Sequence, residues 1–241
     1  VFVGVIFLYS FFLFASNSYA KVDLEIAESH QCSNLFPYFE KKFSIPTNTL
    51  HSIALKESGK KHTKHKIVLV WPWTVNVEGK GYYFDSKKEA IIFVKKQIMK
   101  GKENIDVGCM QINLKHHIDA FSSLAEAFNP RENIEYGARF LKSKYEQLGE
   151  WHKAVAHYHS ATPALGLHYK KQVIKIASNM DDYKNSLSKY SGNNDYFTYS
   201  VGNYNEQPIY STQKVGVTDK KNMRKYKSNI MVMIPNTKLR N

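Results

Sequence analysis

Glu57 is the side chain whose setting in this sequence reads most directly as chemistry. It stands near the end of the stretch from Ile45 to Gly59, where Pro46 sets φ for a helix start, Thr47 can cap the free N–H groups and Gly59 is a natural stop. Leu50, Ile53 and Ala54 form the apolar stripe of that short helix, and Glu57, seven residues after Leu50, continues it. The spacing therefore turns the carboxyl inward. Burial penalises the ionised form, and the negative end of the helix dipole lies close by, so both effects raise the pKa. A carboxyl group that keeps its proton near neutral pH can serve as a general acid. On spacing alone a plainer reading stays open, a partly solvated or capping glutamate in a last helical turn. The ten histidines add little: His116-His117 and His157-x-His159 are close pairs with no carboxylate or thiolate at ligand spacing. No metal site is expected, and these rings read as surface or packing residues.

A carboxyl at the end of a short helix needs a frame, and the chain is patterned mainly for helices. From Lys21 to Lys42 the residues Ile26, Cys32, Leu35, Phe36 and Phe39 recur at helical spacing. Basic residues from Lys60 to Lys66 read as a loop. Ile67 to Val70, Trp71-Pro72-Trp73 and the following run to Phe84, turned at the glycine-rich Glu78-Gly79-Lys80-Gly81, read as a β-hairpin and the only sheet. Ser86 and Glu89 make a capping box for a helix to about Lys100, and Lys102 to Asp106 reads as a polar connection. A short helix is expected over Ser123 to Phe128. Asn129-Pro130 then starts a helix whose apolar stripe is Ile134, Gly137, Ala138, Leu141, Tyr145 and Leu148, closed by Gly149. Two more helices, Trp151 to Ser160 and Leu165 to Met180, complete the pattern, the last with Leu167, Val173, Ile174 and Ala177 as its apolar positions. The expected fold class is mainly α with a small β-hairpin insertion.

With 241 residues, 43% of them hydrophobic, the chain can bury one substantial core. Its formal charge of +13 points to a polyanionic partner. Without a Lys/Arg block interleaved with aromatics or a nucleic-acid module, an anionic wall polymer or membrane fits better than nucleic acid. Residues 1–20 read as an export signal, apolar from Val1 to Ala15 and ending at Ser18-Tyr19-Ala20, although no initiating Met or basic n-region precedes them and an uncleaved anchor is the alternative. An exported, periplasmic or envelope-associated chain with two cysteines invites a Cys32–Cys109 disulfide; two buried thiols are the other possibility. After about Ser188 the composition turns polar, and residues 189–241 carry nine Lys/Arg against three Asp/Glu, a net of +6. That tail is expected to be a flexible, basic tether to wall or anionic membrane, following a main domain over residues 21–188.

Four pieces stand in order: Glu57-Ser58-Gly59, Gly108-Cys109-Met110-Gln111-Ile112-Asn113, Asn129-Pro130 with Asn133-Ile134 and Gly137, and Ala154-Val155-Ala156-His157-Tyr158-His159-Ser160. The set resembles the catalytic domain of soluble lytic transglycosylases, bacterial enzymes that cleave peptidoglycan, over about Cys32 to Ala177. The resemblance implies a lysozyme-like helical fold with Glu57 as acid and base beside a saccharide cleft. It further implies that Ser58 shapes the site, that Met110 and Gln111 line the cleft with Gln111 bonding sugar, and that Tyr158 orients the Glu57 carboxyl. Ordinary core packing is the alternative for Met110 and Tyr158. Many members have Tyr-Asn where this chain has Tyr158-His159, so the role of an amide at that position is in question. The Trp71-Pro72-Trp73 segment could form a cleft wall on which sugars stack, or cover the domain's own core.

Most glycosidases need two carboxylates, but this resemblance implies one, with the substrate's N-acetyl group assisting and a 1,6-anhydro product released without net addition of water. No cofactor is expected. A goose-type lysozyme-like hydrolase with Asp106 as second carboxylate, or a non-catalytic wall-binding protein, are the alternatives.

Overall fold

A computed structural model describes residues 23–190. The expected leader, and the tail beyond Tyr190, lie outside the described residues. The chain runs through α1 (Leu24–Ser33), α2 (Phe36–Lys42), α3 (Thr49–Ser58), β1 (Gly59–Lys61), β2 (Val68–Val70), β3 (Thr74–Val77) and β4 (Lys80–Tyr83). It continues through α4 (Lys87–Met99), β5 (Ile105–Val107), β6 (Ile112–Asn113), α5 (Leu124–Ala127), α6 (Pro130–Leu148), α7 (Trp151–His159), α8 (Pro163–Ser178) and α9 (Met180–Ser188). The architecture is mainly helical with small antiparallel sheets.

Lys21 to Lys42 is two helices, not one. Pro37 has no N–H to give to the Ser33 carbonyl, and its ring would collide with that group, so the chain breaks between α1 and α2. Asp23 caps α1, accepting from the Glu25 and Ile26 N–H groups at 3.0 and 3.3 Å. α6 starts and stops as its sequence dictates: Asn129 accepts from the Arg131 N–H at 3.0 Å, and Gly149, at φ 72°, closes the helix onto the Tyr145 carbonyl.

Among the described residues, two sheets stand where a lone hairpin is expected. Lys60 to Lys66 is not simply a loop, because β1 pairs antiparallel with β2, Gly59 opposite Val70 and Lys61 opposite Val68. Neither lysine has strand character of its own; the pairing comes from the apolar partner, while Lys60 is held by Glu25 at 2.6 Å. β3 and β4 form the hairpin, turned by Glu78 and Gly79 at φ 52° and 88°. β5 and β6 extend it to a four-stranded sheet in the order β4-β3-β5-β6, so the expected polar connection ends in a strand.

Three apolar clusters hold these parts. α3 contributes Leu50, Ile53 and Ala54 to the main one, against Ile134, Ala138 and Leu141 of α6, Ala154 of α7 and Val173 of α8. The four-stranded sheet packs on Ala90 and Val94 of α4 through Val75, Val77, Ile105 and Val107. Trp71 and Trp73 belong to this second cluster, 3% and 5% exposed, so they cover the core and do not form a cleft wall. Ile26, Ile67, Leu69 and Leu187 close the third, where α9 returns to α1 and β2. Among the described residues no helix is long and apolar enough to cross a membrane.

Candidate active site

Glu57 lies in the last turn of α3, and both ends of that helix are fastened by groups from elsewhere. Thr47 is not its cap. The turn passes through Asn48 at φ 67°, which gives no side-chain cap, and the Glu40 carboxylate of α2 replaces it, accepting from the Asn48 and Leu50 N–H groups at 2.9 and 2.8 Å. At the other end Gly59 leaves in an extended conformation, φ −61°. Only glycine fits there, because a Cβ would stand 2.3 Å from the Leu55 carbonyl oxygen and 2.8 Å from a Val68 methyl.

The segment 108–111 meets that helix end. Gly108, at φ 81°, has no room for a Cβ beside the Asn133 amide. Asn133 is fully buried on α6; its Oδ1 accepts from the Met110 N–H at 2.8 Å, and its Nδ2 donates to the Val107 and Ala127 carbonyls at 3.0 Å each. The amide replaces secondary structure as the partner of this backbone. Ser58 donates to the Cys109 carbonyl at 2.7 Å, and Cys109 is bonded to Cys32, so three separate elements fix the segment beside Glu57.

The sequence-expected residues divide on this frame. Ser58 and Met110 are fully buried and offer no surface to a substrate, Met110 packing over Gly137. Gln111 is partly exposed, at φ 47°, with its Nε2 donating to the Gly108 and Thr74 carbonyls at 2.9 and 3.1 Å. Its amide nitrogen is thus committed to the segment, and its Oε1 is the atom that could meet a sugar hydroxyl. Tyr158 does not spend its hydroxyl on Glu57, because it donates to the Met110 carbonyl at 2.9 Å.

The polar group that meets the Glu57 carboxyl is Tyr169 of α8, which sequence reasoning missed. Its buried hydroxyl favours the ionised carboxylate, in a contact looser than a closed hydrogen bond. Burial is the larger influence and pushes the Glu57 carboxyl up to about 7; Asp106 on β5 adds to the rise, while Tyr169 and Lys56 oppose it. Asp106 is itself raised by burial, though Asn113 donates to it at 2.7 Å. His159, at the end of α7, is within electrostatic reach of both Asp106 and Lys56. The arrangement offers a proton donor poised near neutrality with a second carboxyl nearby.

Asp23, His62 and His65 form a separate cluster with ligand atoms within 4.8 Å of one another. His62 Nδ1 accepts from the Lys64 and His65 N–H groups at 2.9 and 3.0 Å, which assigns the ring proton to Nε2, facing Asp23 Oδ2 at 3.1 Å. A metal at Nε2 would have to displace that proton and leave an imidazolate, so the chemistry is that of a His–Asp bracket at the start of α1.

The family model described as Transglycosylase SLT domain matches residues 34–185, more than half of the chain. No curated protein and no solved structure matches it.

Proposed function

The chain belongs to the Transglycosylase SLT domain family, and on that premise we propose that it is a lytic transglycosylase of peptidoglycan in which Glu57 is both acid and base. The observation that carries this reading is the half-buried carboxyl at the end of α3, pushed up to about 7 with the Tyr169 hydroxyl near it. In its protonated form Glu57 gives its proton to the oxygen of the β-1,4 bond between N-acetylmuramic acid and N-acetylglucosamine. As that bond breaks, the substrate's own N-acetyl oxygen bonds to the anomeric carbon and replaces a protein nucleophile. Ionised Glu57 then takes the proton of the C6 hydroxyl while its oxygen closes on C1 and expels the acetamido oxygen. The product is a 1,6-anhydro end, no water is added, and the carboxyl is again protonated.

The remaining residues support that group. Ser58 and Met110 hold the floor of the site, Tyr158 anchors it through the Met110 carbonyl, and Gln111 Oε1 accepts from a sugar hydroxyl. The chain acts in the cell envelope, a reading supported by the apolar N-terminal segment and by the Cys32–Cys109 disulfide, a bond suited to an oxidising compartment. The net positive charge of its C-terminal residues adds attraction to the anionic wall or to anionic lipid.

A second reading rests on Asp106, whose charge reaches Glu57: a hydrolase in which that carboxylate activates water. Mass spectrometry of digested sacculi separates the two, since a reducing end is one water heavier than an anhydro end. Anhydro products that vanish with Glu57→Gln are expected. Reducing ends would assign hydrolysis, and lysis by a folded Glu57→Gln protein would remove Glu57 from the mechanism.

A further inference from the structure

Tyr169 must be held from outside its hydroxyl. Its Oη makes no closed hydrogen bond, so the direction it takes toward Glu57 is set by what packs on its ring. The His159 imidazole lies on that ring, centroids 4.6 Å apart and planes 6° from parallel. This pair joins the last residue of α7 to α8, where Gly166 lets the helices approach so closely that a Cβ would stand 2.8 Å from the Ser160 carbonyl oxygen.

We propose that His159 is a positioning residue, whose flat imidazole clamps the Tyr169 ring and keeps the phenol hydroxyl directed at the Glu57 carboxyl. This rests on the reading of Glu57 as the acid. A neutral imidazole can lie flat on the phenol without adding a charge within reach of Lys56 and Asp106. Burial and Lys56 both keep His159 below its usual range, against the opposing influence of Asp106.

The groups that act on Glu57 are Tyr169, Lys56 and Asp106, and the Glu57 charge in turn helps keep the Tyr158 phenol neutral. Of these Tyr169 is the one that His159 touches. Because the Tyr169 hydroxyl favours ionised Glu57, losing its alignment raises the Glu57 pKa and moves the basic limb of the pH profile of kcat/KM to higher pH.

The test uses the full chain with His159→Ala, His159→Phe, Tyr169→Phe and the His159→Ala/Tyr169→Phe double variant, assayed on soluble glycan strands. His159→Ala should lower kcat between about 10- and 100-fold with little change in KM, the scale of a misplaced catalytic group. It should move the basic limb in the same direction as Tyr169→Phe. His159→Phe, which keeps a flat ring, should restore most of the rate and the limb, and the double variant should be no worse than Tyr169→Phe. Titrating the Glu57 carboxyl by NMR in wild type and His159→Ala reads the same shift without turnover. An unmoved carboxyl titration, additive losses, or no rescue by His159→Phe would overturn the proposal. If Glu57→Gln is inactive while His159→Ala matches wild type, the clamp alone fails; if Glu57→Gln stays active, the acid reading fails.

Discussion

Asn133 is the side chain on which the segment beside Glu57 most depends, and Asn133→Ala measures that dependence. The substitution removes one acceptor, from the Met110 N–H, and two donations, to the Val107 and Ala127 carbonyls, all inside a site with no exposure. A buried polar group left without a partner costs about 1–3 kcal/mol. The Met110 N–H loses its one acceptor and counts near the top of that range, while each carbonyl has a second lone pair and counts near the bottom. The sum is about 5 kcal/mol, much of the roughly 5–15 kcal/mol that holds a folded domain together. For a domain of this size each kcal/mol moves Tm by about 2–4 °C, so calorimetry on the disulfide-intact protein should show a fall on the order of 10 °C. Wall lysis should fall as well, since the same segment supplies the acceptors for Ser58 and Tyr158. A Tm within about 3 °C of wild type, with lysis retained, would refute the reasoning that this amide holds the site.

Gly137→Ala places a methyl group 3.0 Å from the Met110 side chain and 3.1 Å from Tyr158 Oη; urea unfolding should show a loss of about 1–3 kcal/mol and the lysis rate should drop. Reducing Cys32–Cys109, which are 77 residues apart, should cost about 4 kcal/mol of stability by urea titration with and without reductant. The activity of the wild type should decline as pH rises through about 7, because Glu57 must carry a proton to act and burial raises its pKa to that value; a rate that rises through this range would exclude Glu57 as the acid.

The helical frame was legible because its signals are local: Asn129-Pro130 and Gly149 bound α6, and Ser86 with Glu89 starts α4. The parts that escaped depend on distant partners. β1 is strand only because β2 lies beside it, and Trp71 is core only because the sheet and α4 enclose it. α8 was visible as a helix, but its face was misjudged. The larger aliphatics Leu167 and Ile174 are exposed at 45% and 41%, while the buried face is Gly166, Tyr169 and Val173. Tyr169 four residues before Val173, with Gly166 three residues earlier, is a helical stripe with a tight-packing glycine, and that was the signal for the missed residue. α9 escaped because Met180 and Leu187 are its only fully buried apolar residues in an otherwise polar run.

Glu40 and Glu57 show why a raised pKa does not by itself mark a catalyst, and they give a last prediction. Burial is the first cause at both, and both reach about 7. Their oxygens are engaged differently: those of Glu40 receive two backbone N–H groups, whereas Glu57 has a phenol in a loose contact. Because each folded pKa lies above the unfolded value of 4.5, the native state binds more protons between pH 4.5 and about 7. Both groups therefore favour folding below 4.5 and progressively oppose it as pH rises through about 7. Gln at position 57 cannot ionise, so Glu57→Gln should match wild type near pH 5 and be more stable at pH 8. Gln at position 40 also escapes ionisation, yet it turns an N–H donor toward a backbone N–H. That mismatch should cost about 1–3 kcal/mol even at pH 5. Urea unfolding of both variants at the two pH values tests the distinction. A Glu57→Gln protein less stable than wild type at pH 8 would mean that this carboxylate is held by partners as Glu40 is, and not kept poised for proton transfer.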